Sequence, residues 1–185
     1  MLLRAWILPF LLSALAGQAC AQGVLIDKSD IRFVSKQMGV NFEGRFRKWK
    51  ANVVFLPNDL ARSKAEFDID LASIDLESDD SESEIKGPLW FDTAKFPVAH
   101  FASTSMKSLG GDKFEIDGQL SIKGVAKSAI VPISLKNDAT GNTVADGSFT
   151  VKRLDYGIGL GLWADTETVA NDVVVRVHMV LASPK

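Results

Sequence analysis

Lys113-Phe114-Glu115-Ile116-Asp117-Gly118-Gln119-Leu120-Ser121-Ile122-Lys123 sorts its residues by parity. Phe114, Ile116, Gly118, Leu120 and Ile122 fall on one face. Lys113, Glu115, Asp117, Gln119, Ser121 and Lys123 fall on the other. Successive side chains of a strand point to opposite sides, so this stretch predicts a strand with one dry and one wet face. Lys64–Leu71 repeats the pattern, with Ala65, Phe67, Ile69 and Leu71 dry and Lys64, Glu66, Asp68 and Asp70 wet. Near the C-terminus Val173, Val175, Val177, Met179 and Leu181 alternate with a second set that includes Val174 and Val180. That second face is partly apolar and is expected to carry extra cover on its outside. On these patterns Phe67, Ile69, Phe114, Ile116 and Leu120 point inward, and Asp68, Glu115 and Asp117 face solvent.

Working outward, further strands are expected over 31–38, 42–49, 51–56, 100–107, 129–136 and 144–154. Turn residues separate them: Pro57-Asn58-Asp59, Gly110-Gly111-Asp112, Lys123-Gly124-Val125 and Asp138–Asn142. Many short strands with short connections, and no βαβ alternation, predict an all-β antiparallel barrel of about eight strands. One stretch breaks the rhythm. Residues 78–86 are polar, with Asp79, Asp80, Glu82 and Glu84, and precede Gly87-Pro88-Leu89-Trp90-Phe91. This predicts one short helical insertion leading into a segment that tucks Trp90 and Phe91 under the barrel. The acidic residues lack calcium-loop spacing and read as a solvated helix face.

The N-terminus has the layout of an export signal. Arg4 supplies the positive start, an apolar run extends from Trp6 to Leu15, and Ala19-Cys20-Ala21 offers small residues for cleavage before Gln22. Residues 1–21 are expected to be a secretory signal peptide and 22–185 one barrel domain, with a periplasmic location. The apolar run is short for a membrane span. Gly17-Gln18-Ala19 suits acylation of Cys20 poorly, because a lipoprotein signal usually has leucine three residues before the cysteine. Cleavage would leave a mature chain without cysteine, held together by its core alone.

Composition excludes several function classes. The chain has 185 residues, a formal net charge of −2, two histidines and one cysteine. A weakly acidic chain lacks the basic face of a nucleic-acid binder. His100 and His178 have no companions at metal-ligand spacing, and no G-x-S-x-G elbow is present. Gly157-Ile158-Gly159-Leu160-Gly161 lacks phosphate-loop spacing and reads as a bulged or tightly curved strand connection. No catalytic residue, metal or cofactor is expected. The inward parity gathers Phe42, Phe46, Phe55, Phe67, Phe114 and Phe149, together with Gly44, Gly118 and Gly147. Either the glycines leave an apolar tunnel opposite the aromatics, or they permit strand coiling around a solid interior. Both follow from an eight-stranded barrel.

Several segments, taken in order, resemble the YceI-like family of exported, lipocalin-like lipid-binding proteins. They are Met38-Gly39-Val40 with Phe42-Glu43-Gly44-Arg45-Phe46, Ile69-Asp70-Leu71-Ala72-Ser73-Ile74-Asp75, Trp90-Phe91-Asp92 through Phe96-Pro97, Phe101-Ala102-Ser103-Thr104, and Gly118 through Val125. The resemblance spans essentially the whole mature chain. It implies a tunnel holding a long-chain apolar lipid, such as a polyisoprenoid, without covalent attachment. The lining residues it suggests are Phe42, Gly44, Phe46, Phe55, Phe67, Ile69, Trp90, Phe101, Phe114, Ile116, Gly118, Leu120, Phe149 and Val175. Gln37 departs from the pattern, since many relatives have histidine there, so a head-group role for that position is in doubt. Asp155-Tyr156 and Gly157–Trp163 look like a branch sometimes found with membrane cytochrome b subunits. That likeness implies an alternative role, presenting an isoprenoid quinone to such a subunit. A lipid-modifying enzyme is the third reading.

Overall fold

The computed structural model describes residues 23–76 and 78–183. The expected signal peptide and its cleavage site lie outside the described residues. Ten strands form one antiparallel sheet: β1 (Asp30–Gln37), β2 (Val40–Phe46), β3 (Trp49–Val54), β4 (Lys64–Asp70), β5 (Ile74–Asp75), β6 (Val98–Gly110), β7 (Lys113–Ile122), β8 (Val125–Asn137), β9 (Thr143–Lys152) and β10 (Asp172–Leu181). One α-helix, α1 (Asp79–Lys86), follows β5. Its N-cap is Ser78, whose hydroxyl accepts from the Ser81 N–H. The three acidic residues of its first turn suit the positive end of the helix.

The ten segments make eight staves. β2 and β3 are one strand bent at Arg47-Lys48, and β4 and β5 are one strand bent at a 3-10 turn over Leu71–Ser73. The two bent strands pair along their length. β3 pairs with β4 from Trp49↔Ile69 to Val54↔Lys64, and β2 pairs with β5 at Arg45↔Asp75 and Phe46↔Ile74. Between those ladders the Asp70 N–H donates to the Lys48 carbonyl and the Arg47 N–H to the Ser73 carbonyl, each at 3.0 Å. Since β2 also pairs with β1, and β1 with β10, the sheet closes as an up-and-down barrel. Asp75 is buried at this closing seam and accepts from Arg45 Nε at 2.7 Å and Arg47 Nε at 2.9 Å.

Turn chemistry sets two of the hairpins. Met38-Gly39 and Lys123-Gly124 both have φ positive at the two central residues. That is the twist a two-residue hairpin needs, and it places glycine where a side chain is least welcome. A bulge between Ser103 and Ser105 switches parity within β6, so Phe101 and Met106 both face inward.

The apolar outer positions of β10 are covered, as their pattern predicts. Val180 is buried, and Gly23–Ser29 runs beside it, with the Leu25 N–H on the Val180 carbonyl. Three expectations need correction. Glu115 and Asp117 do face outward but are half-covered, because Lys107 pairs with both and Ser105 Oγ donates to Asp117. The Gly157–Gly161 run lies in a strand connection, the one from β9 to β10, but not in a tight or bulged one. It belongs to a loop over 153–171 that folds across one end of the barrel, with Gly157, Gly159 and Gly161 all at positive φ.

The third correction concerns the inward glycines, which leave no empty room. A Cβ on Gly118 would lie 2.4 Å from the Phe101 ring and 2.7 Å from the Ala102 carbonyl, and a Cβ on Gly44 would lie 2.3 Å from the Phe33 ring. At Gly147 the neighbour is Ile133, at 2.9 Å. An aromatic ring closes on each of the first two glycines, and this close approach is why no side chain fits.

Candidate functional site: a capped apolar cavity

The staves enclose a cavity of about 220 Å³. Of the residues suggested by the sequence, Phe42, Phe46, Phe55, Phe67, Ile69, Trp90, Phe101, Ile116, Leu120, Phe149 and Val175 line it together. Gly44 and Gly118 lie beneath aromatic rings and do not line it. Phe114 lies outside the lining too. Its ring meets Phe55 edge-on at 5.5 Å, at the end of the barrel where β7 begins, so the two rings plug that end. The wall also includes residues missing from the sequence-derived set, among them Phe33, Met106, Val131 and Met179 from the staves and Phe91 and Ile158 from the loops.

The opposite end is capped by two connections, residues 76–97 and 153–171. Gly159 and Leu160 both donate their N–H to the Leu89 carbonyl, at 2.9 and 2.8 Å. Lys123, from the β7–β8 turn, reaches the Pro88 carbonyl at 3.0 Å and the Gly157 carbonyl at 2.8 Å. Burial between these groups lowers the pKa of its ammonium. Trp163 Nε1 donates to Glu84 on α1 at 3.0 Å, and its ring packs against Trp90 at 5.5 Å.

Arg153 holds the longer connection in shape. It is 2% exposed and lines the cavity. Nε donates to the Ala170 carbonyl, one terminal nitrogen to those of Ile158 and Gly159, and the other to those of Trp163 and Val169. These bonds use all five N–H donors of a guanidinium. No carboxylate pairs with it among the described residues, and burial lowers its pKa. One buried cation thus forms part of the wall.

Further polar groups sort by position. Gln37 is exposed and outside the lining. Its place in the fold is a backbone bridge to Val169 that ties the capping loop to β1. Ser35, two residues earlier on the same strand, does line the cavity. His100 sits on the outer face with its Nδ1 2.7 Å from Asp68, and His178 pairs with Asp146 on an outer groove. Neither histidine lines the cavity.

The wall also has a weak line. β8 and β9 pair only from Ile133↔Gly147 to Asn137↔Thr143, so the stretch of β8 nearest the cap has no ladder partner on that side. Pro132, which lacks an N–H, stands where the pairing stops.

A closed, meandering eight-stave barrel around an apolar cavity defines the lipocalin-like class of small barrels. Within that class the chain belongs to the YceI-like family: the family's domain model matches residues 24–181. The chain is 30% identical over 173 residues to a UPF0312 protein of Azotobacter vinelandii, covering 88% of this chain and 89% of that one. The crystal structure of Burkholderia cenocepacia BcnA is similar, with a TM-score of 0.83 and 37% identity over 87% of this chain and all of that one. A polyisoprenoid-binding domain from Saccharophagus degradans shares the fold, with a TM-score of 0.69 and 17% identity over 87% of this chain and 97% of that one.

Proposed function

We propose that this chain is a periplasmic carrier for a long-chain apolar lipid, an isoprenoid, with the tail held inside the barrel and no reaction performed on it. The observation that carries this reading is the cavity, whose wall is aliphatic and aromatic apart from Ser35 and Arg153 at the capped end. An apolar cavity of about 150 Å³ holds benzene, so one of about 220 Å³ takes on the order of nine carbons. At about 0.8 kcal/mol per buried methylene, nine carbons contribute roughly 7 kcal/mol before ordering costs. Micromolar affinity needs about 8 kcal/mol net, so a tightly held lipid has a longer tail than the closed cavity accommodates. The unpaired stretch of β8 is where the wall can part to admit the remainder.

The polyisoprenoid-binding domain with the same fold supports the ligand class. The Arg4 start, apolar run and Ala19-Cys20-Ala21 site support export. The test is mass spectrometry of solvent extracts from the purified protein, beside N-terminal sequencing of periplasmic material. An isoprenoid in stoichiometric amount and a chain starting at Gln22 are expected. Protein that carries no lipid and takes none up after delipidation would sink the carrier reading. A retained or acylated N-terminus would sink the soluble periplasmic one.

A further inference from the structure

The large apolar side chains that the barrel leaves exposed are unevenly placed. Met38, Val40, Leu89, Val125, Leu160 and Leu162 all stand on or beside the connections at the capped end. Leu162 is 89% exposed, Met38 79% and Val40 70%. The plugged end is different. Its turns are Pro57-Asn58-Asp59, Gly110-Gly111-Asp112 and Asp138–Asn142, and its exposed large apolar residues, among those described, are Ile26 and Leu109. Single exposed apolar residues are ordinary on a protein surface, but a concentration of them marks a contact.

Hydrogen bonds tie the connections that carry these residues into one body. The Met38 N–H donates to the Thr168 carbonyl at 2.8 Å, which fixes the β1–β2 turn to the loop bearing Leu160 and Leu162. That loop is bonded in turn to the Leu89 carbonyl, and the Leu89 side chain lies against Gly161. Lys123 holds the β7–β8 turn, which leads into Val125, to the Pro88 and Gly157 carbonyls. The end is thus presented ready-made, with little loop ordering left to oppose a contact.

The shape and charge of this end fit a bilayer. Its most exposed apolar residues project from the tips of two separate turns. Fluid lipid can enclose such side chains from every side, whereas a protein face would need a matching socket for each. Its charges are balanced, since exposed Lys36, Lys127 and Lys152 are met by exposed Asp155, Asp165 and Glu167, so neither a cationic nor an anionic partner is selected. The cavity adds a second argument. The stretch of β8 that lacks a partner on β9 begins at this same end, with Val125 as its first residue. Each methylene of a lipid tail that passes through water costs about fourfold in equilibrium. That cost is avoided where the seam meets the membrane directly.

We infer that the capped end docks on the surface of a lipid bilayer, with Leu162 and the Met38–Val40 turn inserted among the acyl chains and the seam between β8 and β9 brought against the membrane. This rests on the carrier reading, and it names the membrane itself as the partner with which the lipid is exchanged.

The test is flotation of delipidated protein with phosphatidylcholine vesicles at low and high salt, beside uptake of nonane from water as a measure of the cavity alone. The wild type is expected to float with the vesicles at both salts, and phosphatidylglycerol added to them should change little. Leu162→Ala and Met38→Ala should each lower the partition by about 4- to 60-fold, the equivalent of one to three methylene groups leaving the bilayer, with nonane uptake and Tm unchanged. Leu109→Ala, at the plugged end, should partition as the wild type does. Protein that takes up nonane yet does not float overturns the docking and leaves the carrier reading standing. Protein that does neither overturns both. Binding that requires phosphatidylglycerol and is lost at high salt would overturn the apolar insertion, as would equal weakening by Leu109→Ala and Leu162→Ala. A dimer that Leu162→Ala dissociates, without vesicle binding, would assign this face to a second copy of the chain and overturn the docking. Should one of the two variants fail to fold, the other, on a separate turn, decides the matter.

Discussion

Replacing Arg153 with lysine tests whether the cap is held by one side chain. The guanidinium reaches five carbonyls, those of Ile158, Gly159, Trp163, Val169 and Ala170. A lysine ammonium offers three donors from a single point, so at least two of those carbonyls lose their partner. A buried group left unsatisfied costs about 1–3 kcal/mol, which puts Arg153→Lys at roughly 2–6 kcal/mol. For a domain of this size each kcal/mol moves the Tm by about 2–4 °C, so a fall of at least about 4 °C is expected. Urea unfolding gives the free energy, and hydrogen exchange locates the damage. The amides of Gly159 and Leu160, which donate to the Leu89 carbonyl, should lose protection before those of β7. A change within about 0.5 kcal/mol, the usual effect of a surface substitution, would refute the claim that this arginine organises the cap.

Three further outcomes are expected. Gly118→Ala should destabilise by about 1–3 kcal/mol, because its Cβ meets the Ala102 carbonyl as well as the Phe101 ring, and a thermal melt would reveal an unaffected protein if that contact were harmless. Ala99→Leu adds three carbons to the cavity wall, which at about 0.8 kcal/mol per displaced methylene lowers lipid affinity on the order of 50-fold with little loss of stability; extracted lipid per mole, unchanged from wild type, would contradict it. Asp138 accepts from Thr140 and Asn142 through both backbone and side chain, and these bonds hold its pKa down to about 2. The folded state thus favours the carboxylate, and the stabilisation is present above the ordinary aspartate pKa and lost as pH falls through about 2. An NMR titration of Asp138 with a midpoint near the unperturbed value would show that the turn does not hold it.

The parity of the staves was legible because one face of each strand meets the cavity and the other meets water. Phe67, Ile69, Ile116 and Leu120 follow from that alone, and all four line the cavity. Local alternation cannot reveal which inward residue lies under another. Gly118 has the right parity, yet the Phe101 ring, carried by the neighbouring strand, occupies the space above it. Nor does alternation say how far along the axis a residue sits, which is why Phe114 plugs an end instead of lining the middle. Arg153 was missed because a lone arginine beside Lys152 reads as surface charge. The signal available was the glycine-rich loop after it, whose carbonyls needed donors that the loop lacks. Ser35 could have been found, since it continues the dry parity of Ile31 and Phe33, where a hydroxyl is out of place.

Two of these misses, Arg153 and Ser35, fall at the capped end of the barrel, and there is a physical reason for that. The staves agree with their local sequence, since inward residues are apolar and ladders satisfy the backbone. The capped end departs from the rule three times, with a cation desolvated among carbonyls, a serine on a dry face and an indole N–H without an acceptor among the described residues. Each departure reduces the stability of the empty protein. The guanidinium offsets part of its cost through the five carbonyls it holds, but no hydrogen bond among the described residues offsets the other two. The conflict between local sequence and fold is concentrated where loops, and not ladders, close the barrel, so the cap is the part of the structure that alternation alone cannot specify.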